Sequence, residues 1–471
     1  MTRLTLPMFA LLLAPIGCDK TTDDTEVADD TEATTDVTDD TDTTGGSTTD
    51  DTATTGGSTT DDTDDTTGGS ITDDTGPAPT VTWHADIDPL LQTYCGRCHY
   101  DQGLGTGDFT DYSIASAMSE IMLTQIDAGQ MPPAASEPEC RDYHGSEYLF
   151  LPDEARETLA TWVAEGTPEG DPEDAVAVDA IDEVLDDPDL ELMLEAAYTP
   201  SFSDSSNPGN EYRCFVLDPG LSEDTYLTAM QPIIGNRQMV HHVVLYTRNS
   251  QSLPADYADA DGFSCINGEE FRYISAMVGG WAPGSLPIEL GEWGGMKLDA
   301  GEQFIVQMHY YDPGDLEETD DLSGYAFRTA ESVEKEIVLE TLGVYNFNIP
   351  ADDPSYSAQG SDSVPFNRTA TVYSVFPHMH VLGSGFRMWA EDSAGEETCL
   401  VSSDAYDFEN QQTYLFHEPL VVEGGSSLKY ECTWNNSTSN PDLILDPPQD
   451  TRYGERTDEE MCFFFALISY E

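Results

Sequence analysis

From residue 190 to the end of the chain, apolar and polar residues alternate, and Gly, Pro and Asn break the runs every few positions. A period of two buries one face of a strand and cannot build a continuous apolar stripe on a helix. Gln303-Phe304-Ile305-Val306-Gln307-Met308-His309 and Thr369-Ala370-Thr371-Val372-Tyr373-Ser374-Val375 read as strands. A stretch this long without helical periodicity predicts two all-β sandwiches of jelly-roll type, over 200–345 and 346–471.

The other end of the chain obeys different rules. Met1 to Gly17 carries one Arg and then the apolar run Met8-Phe9-Ala10-Leu11-Leu12-Leu13-Ala14, too short for a mature membrane span and suited to a signal peptide. Ala14-Pro15-Ile16-Gly17-Cys18 resembles a bacterial lipobox, with Cys18 as the lipidated residue of a protein exported to the periplasm or cell surface. Pro15 departs from the usual Leu, and an ordinary secretory signal is the competing reading. Residues 19–80 hold 19 acids and one Lys in loose Asp/Thr/Gly/Ser repeats. With almost nothing to bury, they are expected to be a disordered, charge-extended tether. The net charge of −74 disfavours nucleic acid and anionic membrane as partners, leaving the lipid anchor as the expected membrane contact. Nine Cys, several isolated in strand-like segments, point to an oxidising compartment.

Cys95-Gly96-Arg97-Cys98-His99 has the C-x-x-C-H spacing of covalent c-type haem attachment, in which two thiols add to the haem vinyls and the imidazole binds iron. A zinc half-site or a redox C-x-x-C fits less well, because there is no second C-x-x-C and export is where c-type haem is assembled. Residues 81–170 as a whole resemble a small all-α cytochrome c. Met131-Pro132-Pro133 stands where that family places its sixth ligand, and Asp153 is positioned to cap a C-terminal helix over Pro152–Val163. His84 and His144 read as surface histidines, or as sixth ligands should Met131 not serve. Residues 171–199 read as an acidic connector.

His378 and His380 lie two apart in Phe376-Pro377-His378-Met379-His380-Val381-Leu382. Side chains at i and i+2 leave the same face of a strand, so the two imidazoles can grip one metal ion. Alone, such a pair is more often an ordinary pair of core or surface histidines. Here it belongs to a series. His241-His242 precedes it, then Gln307-Met308-His309-Tyr310, and Glu459-Glu460-Met461-Cys462 follows. That order, with Tyr212-Arg213-Cys214 and Gly280-Trp281-Ala282-Pro283, resembles the copper type II, ascorbate-dependent monooxygenases.

The resemblance implies two copper ions. His241, His242 and His309 would hold one in the first sandwich, with Tyr212 and Gln307 close by. His378, His380 and Met461 would hold the other in the second, where oxygen is activated and hydrogen is taken from a substrate C–H. In that family the coppers face each other across a solvent-filled cleft. Imidazoles suit copper in both oxidation states, and a soft thioether favours Cu(I). Zinc would explain neither the Met nor two separate His sets. In a flat strand, adjacent His241 and His242 point to opposite faces, so both can ligate only where the strand twists, bulges or ends.

Peptide-amidating members carry Arg two residues before the first His of His-x-His, and Asn and Tyr two and four residues after the Met. Here those positions are Phe376, Phe463 and Phe465. A carboxylate would find no cation there, so the expected substrate is a neutral, apolar or aromatic organic molecule; ordinary strand core is the plainer reading of the three rings. The same resemblance pairs Cys432 with Cys462, and Cys214 with Cys265 is similarly expected. Cys140 and Cys399 stay unassigned, and His417 reads as structural. The chain is thus expected to be an enzyme using O2, copper, one covalent haem c, and an electron donor such as ascorbate or a redox protein. The competing expectation is a non-catalytic electron-transfer or copper-binding lipoprotein.

Overall fold

The computed structural model describes residues 79–471 except Gln102, Leu104, 179–183, 204–208, 266–271, 313–320, Glu409, Glu455 and Thr457. The expected signal peptide, Cys18 and all but the last residues of the expected acidic tether lie outside the described residues. The described residues belong to one compact unit, Thr75–Glu471.

Helices occupy the first part. Trp83–Ile87, Asp88–Tyr94, Tyr112–Asp127 and Asp153–Ala164 enclose a small core of Trp83, Ile87, Leu91, Phe109, Ala115, Met122, Leu159 and Trp162. Asp111 caps the longest helix by accepting from the Ser113 and Ile114 amides. Asp153 differs from the sequence expectation. It is the first helical residue rather than the cap, and Pro152 takes the cap position without a side-chain bond. Its charge still favours the positive end of the helix dipole.

The interval predicted as one haem-binding segment divides at about Ala134. From there to Phe150, which includes the one-turn helix Ser146–Leu149, the chain straps onto the second sandwich. Ala135 and Tyr143 enter that sandwich's core. Tyr143 forms an antiparallel bridge with Phe416. The Glu137 amide donates to Ser402 O, and Asn410 Nδ2 donates to Ala134 O. Cys140 is disulfide-bonded to Cys399, which resolves the pair left unassigned by the sequence. His144, a candidate haem ligand by sequence, is on this strap, where its ring packs against that of His417.

The first sandwich has two antiparallel sheets. One runs Leu190–Met193, Gly324–Ala330, Thr225–Ile233, with Ile288–Glu289 and Met296–Leu298 both pairing to Thr225–Ile233. The other runs Phe263–Ser264, Asn210–Leu217, Phe304–Tyr311, Val240–Arg248, Ile274–Trp281. The second sandwich pairs Ile337–Gly343, Phe463–Tyr470, Ala370–His378 and Tyr414–Val422 in one sheet, and Asp353–Ser363, Ser427–Asn436, Gly383–Glu391 and Glu397–Ser403 in the other. Leu190–Met193 thus adds a strand from within the 171–199 interval, and Ile337–Gly343 pairs with the last strand of the chain. Ser427–Asn436 alternates strictly between buried and partly buried residues, as a period of two requires.

The sandwiches share apolar surface. Tyr373, Leu415 and Leu467 of the second join the core cluster of the first, and the rings of Tyr373 and Trp293 lie 5.5 Å apart. Disulfides join Cys214 to Cys265 and Cys432 to Cys462, as the sequence predicts.

Candidate metal centres

The strand Val240–Arg248 does not run flat past its histidines. Its register against Phe304–Tyr311 shifts between Val240, opposite Tyr310, and His242, opposite His309. His241 is therefore the extra residue of a β-bulge, which breaks the alternation of faces. His241 and His242 can then converge with His309, and single ligand atoms of the three lie within 4.8 Å of one another.

The converging atoms are Nδ1. That of His242 is 3.1 Å from His241 Nδ1 and 3.3 Å from His309 Nδ1. His309 Nε2 stands 2.8 Å from Asn210 Oδ1. An amide oxygen only accepts, so Nε2 carries the proton and Nδ1 keeps its lone pair. Burial, with the neighbouring imidazoles, holds His309 and His242 well below the usual histidine range. Neutral rings whose lone pairs crowd together suit a cation between them. Tyr212 stacks on His309 at 4.2 Å, and Gln307 lies two residues before His309 on the same strand.

The second set is built differently. His378 ends its strand and His380 follows in the turn, with ring centroids 5.3 Å apart. His378 Nδ1 faces Gln411 Oε1 at 2.6 Å, and His380 Nδ1 faces the Glu459 carbonyl at 2.9 Å. Both partners accept, so the proton of each neutral ring belongs on Nδ1 and the lone pair on Nε2. Burial, reinforced by His380, takes His378 down to about 3. Met461 is buried just ahead of the strand Phe463–Tyr470, whose Phe463 is paired with His378. Thus Met461 reaches the end of the sheet where the two imidazoles stand.

Comparison with known sequences decides the family. The N-terminal domain of the copper type II ascorbate-dependent monooxygenases matches residues 203–317, and their C-terminal domain matches residues 344–470. The chain belongs to this family. It is 25% identical over 273 residues to DBH-like monooxygenase protein 2 of Mus musculus, covering 54% of this chain and 42% of that protein. It is 25% identical over 285 residues to peptidyl-glycine alpha-amidating monooxygenase A of Xenopus laevis, covering 57% of this chain and 27% of that protein. The matched region is therefore less than half the length of either relative. Among solved structures, an infectious bursal disease virus VP2 particle aligns with a TM-score of 0.16 and 9% identity over 60% of this chain and 70% of that one, too low to bear on the fold.

Both His sets suit the family's metal. In His309, His378 and His380 one ring nitrogen is tied to an oxygen, which fixes the tautomer and orients the ring. The loop between Glu397–Ser403 and Tyr414–Val422, silent in the sequence, joins the two sets. Its Phe408 ring is 6.4 Å from His241 and 6.1 Å from His380. Gln411 orients His378, and the neighbouring Gln412 donates to Pro283 O of the first sandwich. The gap expected to be a solvent-filled cleft therefore has a phenyl ring beside both sets. The charges of His378 and His380 would also act on His242.

Phe376, His378, Phe463 and Phe465 share one face of their paired strands, since Phe376 lies opposite Phe465 and His378 opposite Phe463. Phe465 and Phe376 are each 6.4 Å from the His378 ring. Tyr345 continues the aromatic surface from Phe463 outward.

In the helical part, neither Cys95 nor Cys98 is in a disulfide. Burial, then Cys98, pushes the Cys95 thiol up to about 12. His99 Nδ1 faces Thr106 O at 3.0 Å, leaving Nε2 bare. The residue types of the expected haem attachment, two cysteines outside any disulfide and one imidazole, are thus present at this end of the helical part. Met131 is 41% exposed, whereas His99 stacks on Phe109 at 4.2 Å.

Glu460 accepts from the amides of His380, Leu382 and Met461 and from Trp434 Nε1. Glu460→Gln turns an acceptor-only group into one with its own donors, and is expected to cost about 3 kcal/mol in denaturant unfolding. A loss below about 0.5 kcal/mol contradicts that bracing role. The metal-free protein also carries a pH signature. His378 is lowered from 6.5 to about 3, so between those values the unfolded chain binds more protons. Stability should fall as pH drops through that window, and His378→Asn should flatten the slope measured by denaturation at pH 7, 6 and 5.

Proposed function

We propose that the protein is a copper monooxygenase that hydroxylates a C–H bond of a neutral, apolar or aromatic organic molecule. The overall reaction balances as R–H + O2 + 2 e⁻ + 2 H⁺ → R–OH + H2O. The observation that carries this reading is the pairing of two His sets beside one gap, with a buried Met at the second set only. Copper bound at the two sets supplies the electrons and the activation of oxygen.

The chain's own residues do the rest. Asn210 holds His309, and Gln411 and the Glu459 carbonyl hold His378 and His380, so each ring presents one chosen nitrogen. Phe376 and Phe465 give the His378 side an aromatic wall. Such a wall gains from burying apolar surface and gains nothing from a carboxylate. Phe408 narrows the gap and excludes water from part of it.

Electrons have an internal source in this reading. Cys95 and Cys98 would bond a c-type haem and His99 would hold its iron, with Met131 the candidate second ligand; that haem would carry electrons from an ascorbate-type donor or a redox protein. Lipidated Cys18 and the acidic tether keep the enzyme at an exported membrane surface.

The test is oxygen uptake by the copper-loaded, reduced protein, with product detected in an extract of small molecules. Met461→Ala should lower product formation by more than about a hundredfold, at least what a supporting partner of a metal site commands. Cys98→Ala should lose the covalent haem band on a denaturing gel and keep its copper. No coupled product, with uptake unchanged in Met461→Ala, returns the chain to a non-catalytic electron-transfer or copper-binding protein.

A further inference from the structure

We propose that His144 and His417 form a third metal site, separate from both copper sets, that takes an imidazole-seeking divalent cation such as Zn²⁺ and pins the 134–150 strap to the second sandwich.

The two ring centroids are 4.0 Å apart, tilted by 48°. That is closer than any imidazole pair within the two copper sets, which lie 4.7 to 5.3 Å apart. Their approach is imposed by backbone pairing. Tyr143 bridges Phe416, the His144 amide donates to Leu415 O at 2.9 Å, and the His417 amide donates to Asp142 O at 3.4 Å. Tyr143 and Phe416 turn into the core, so alternation sends Asp142, His144 and His417 to the other face. Both histidines are exposed, so an ion can enter from solvent.

The surroundings favour a cation. Asp142 and Glu147 of the strap and Glu289 of the first sandwich all bear electrostatically on His144. Burial first, then His417, nevertheless keeps His144 below the usual histidine range, so its lone pair is available at neutral pH. Gly145, at φ +89°, brings the strap against Leu286 of the first sandwich, where an added Cβ would meet Leu286 Cδ1 at 3.0 Å. The site thus lies where the strap meets both sandwiches. Two imidazoles supply half of a tetrahedral shell, and water completes it. Neutral nitrogen donors select zinc or copper over calcium and magnesium, which prefer oxygen.

Binding to the folded chain alone must stabilise it. The full-length protein, stripped of metal and then loaded with two equivalents of copper for the two copper sets, is titrated with Zn²⁺, and bound zinc and melting temperature are read together. Wild type should hold one more zinc than His144→Ala or His417→Ala, and the double variant should lose no further equivalent. Zinc should raise the wild-type melting temperature by at least about 3 °C, and neither variant should respond. Without zinc all three proteins should melt together, which separates a lost ligand from a damaged fold. His417→Gln, which keeps polarity and bulk, should behave as His417→Ala. Equal zinc counts in wild type and variants, or an equal rise with Ca²⁺, would overturn the proposal in favour of diffuse binding to an acidic surface.

Discussion

One buried carboxylate organises the second half of this molecule. Glu460 is wholly inaccessible to solvent and has no cationic partner among its described hydrogen bonds. It is tolerated because four N–H groups converge on it: the backbone amides on either side of Val381, that of Met461, and the Trp434 indole. Burial raises it to about 7 while those donors pull the other way. An isolated buried charge would cost many kcal/mol, and only such a complete set of donors offsets it. The consequence is positional. The His378-x-His380 turn and the approach to the last strand, about eighty residues apart, are fastened to the same two oxygens. Cys462, next but one to Glu460, is bonded to Cys432, two residues before Trp434. An imidazole pair and a thioether are thereby held at one end of one sheet.

The first centre uses a different device. A strand cannot offer two consecutive side chains to one ion, and the extra residue at His241 removes that obstacle. The tethered ring nitrogen also differs between the centres. Asn210 fixes Nε2 of His309, while Gln411 and Glu459 fix Nδ1 of His378 and His380. The loop carrying Phe408, Gln411 and Gln412 then ties centre to centre and sandwich to sandwich.

Much of this is legible in the sequence, for identifiable reasons. Strand periodicity is a local pattern and predicts the β architecture, while the order of His, Met and Cys carries the family resemblance that implies two disulfides and the His sets. The three phenylalanines are readable because they replace polar residues at fixed offsets from His378 and Met461. What escapes the sequence is pairing at long range. The strap's attachment depends on a disulfide spanning 259 residues and on one bridge between Tyr143 and Phe416. Nothing near Cys140 or Cys399 announces the other. Phe408 and Gln411 lie in a loop whose composition resembles any other. The bulge at His241 is only a requirement in sequence, and it becomes a fact in the register.

Three imidazoles converge in the first sandwich, and the His378 and His380 pair, with Met461 near the same end of the sheet and an aromatic wall beside it, stands in the second. The most direct test is copper X-ray absorption of the reduced, copper-loaded protein, with the metal counted in the same sample. Two coppers per chain, with imidazole nitrogen around both and a sulfur contribution that disappears in Met461→Ala, is the predicted result. One copper per chain, or a sulfur-free shell unchanged by that substitution, would contradict it.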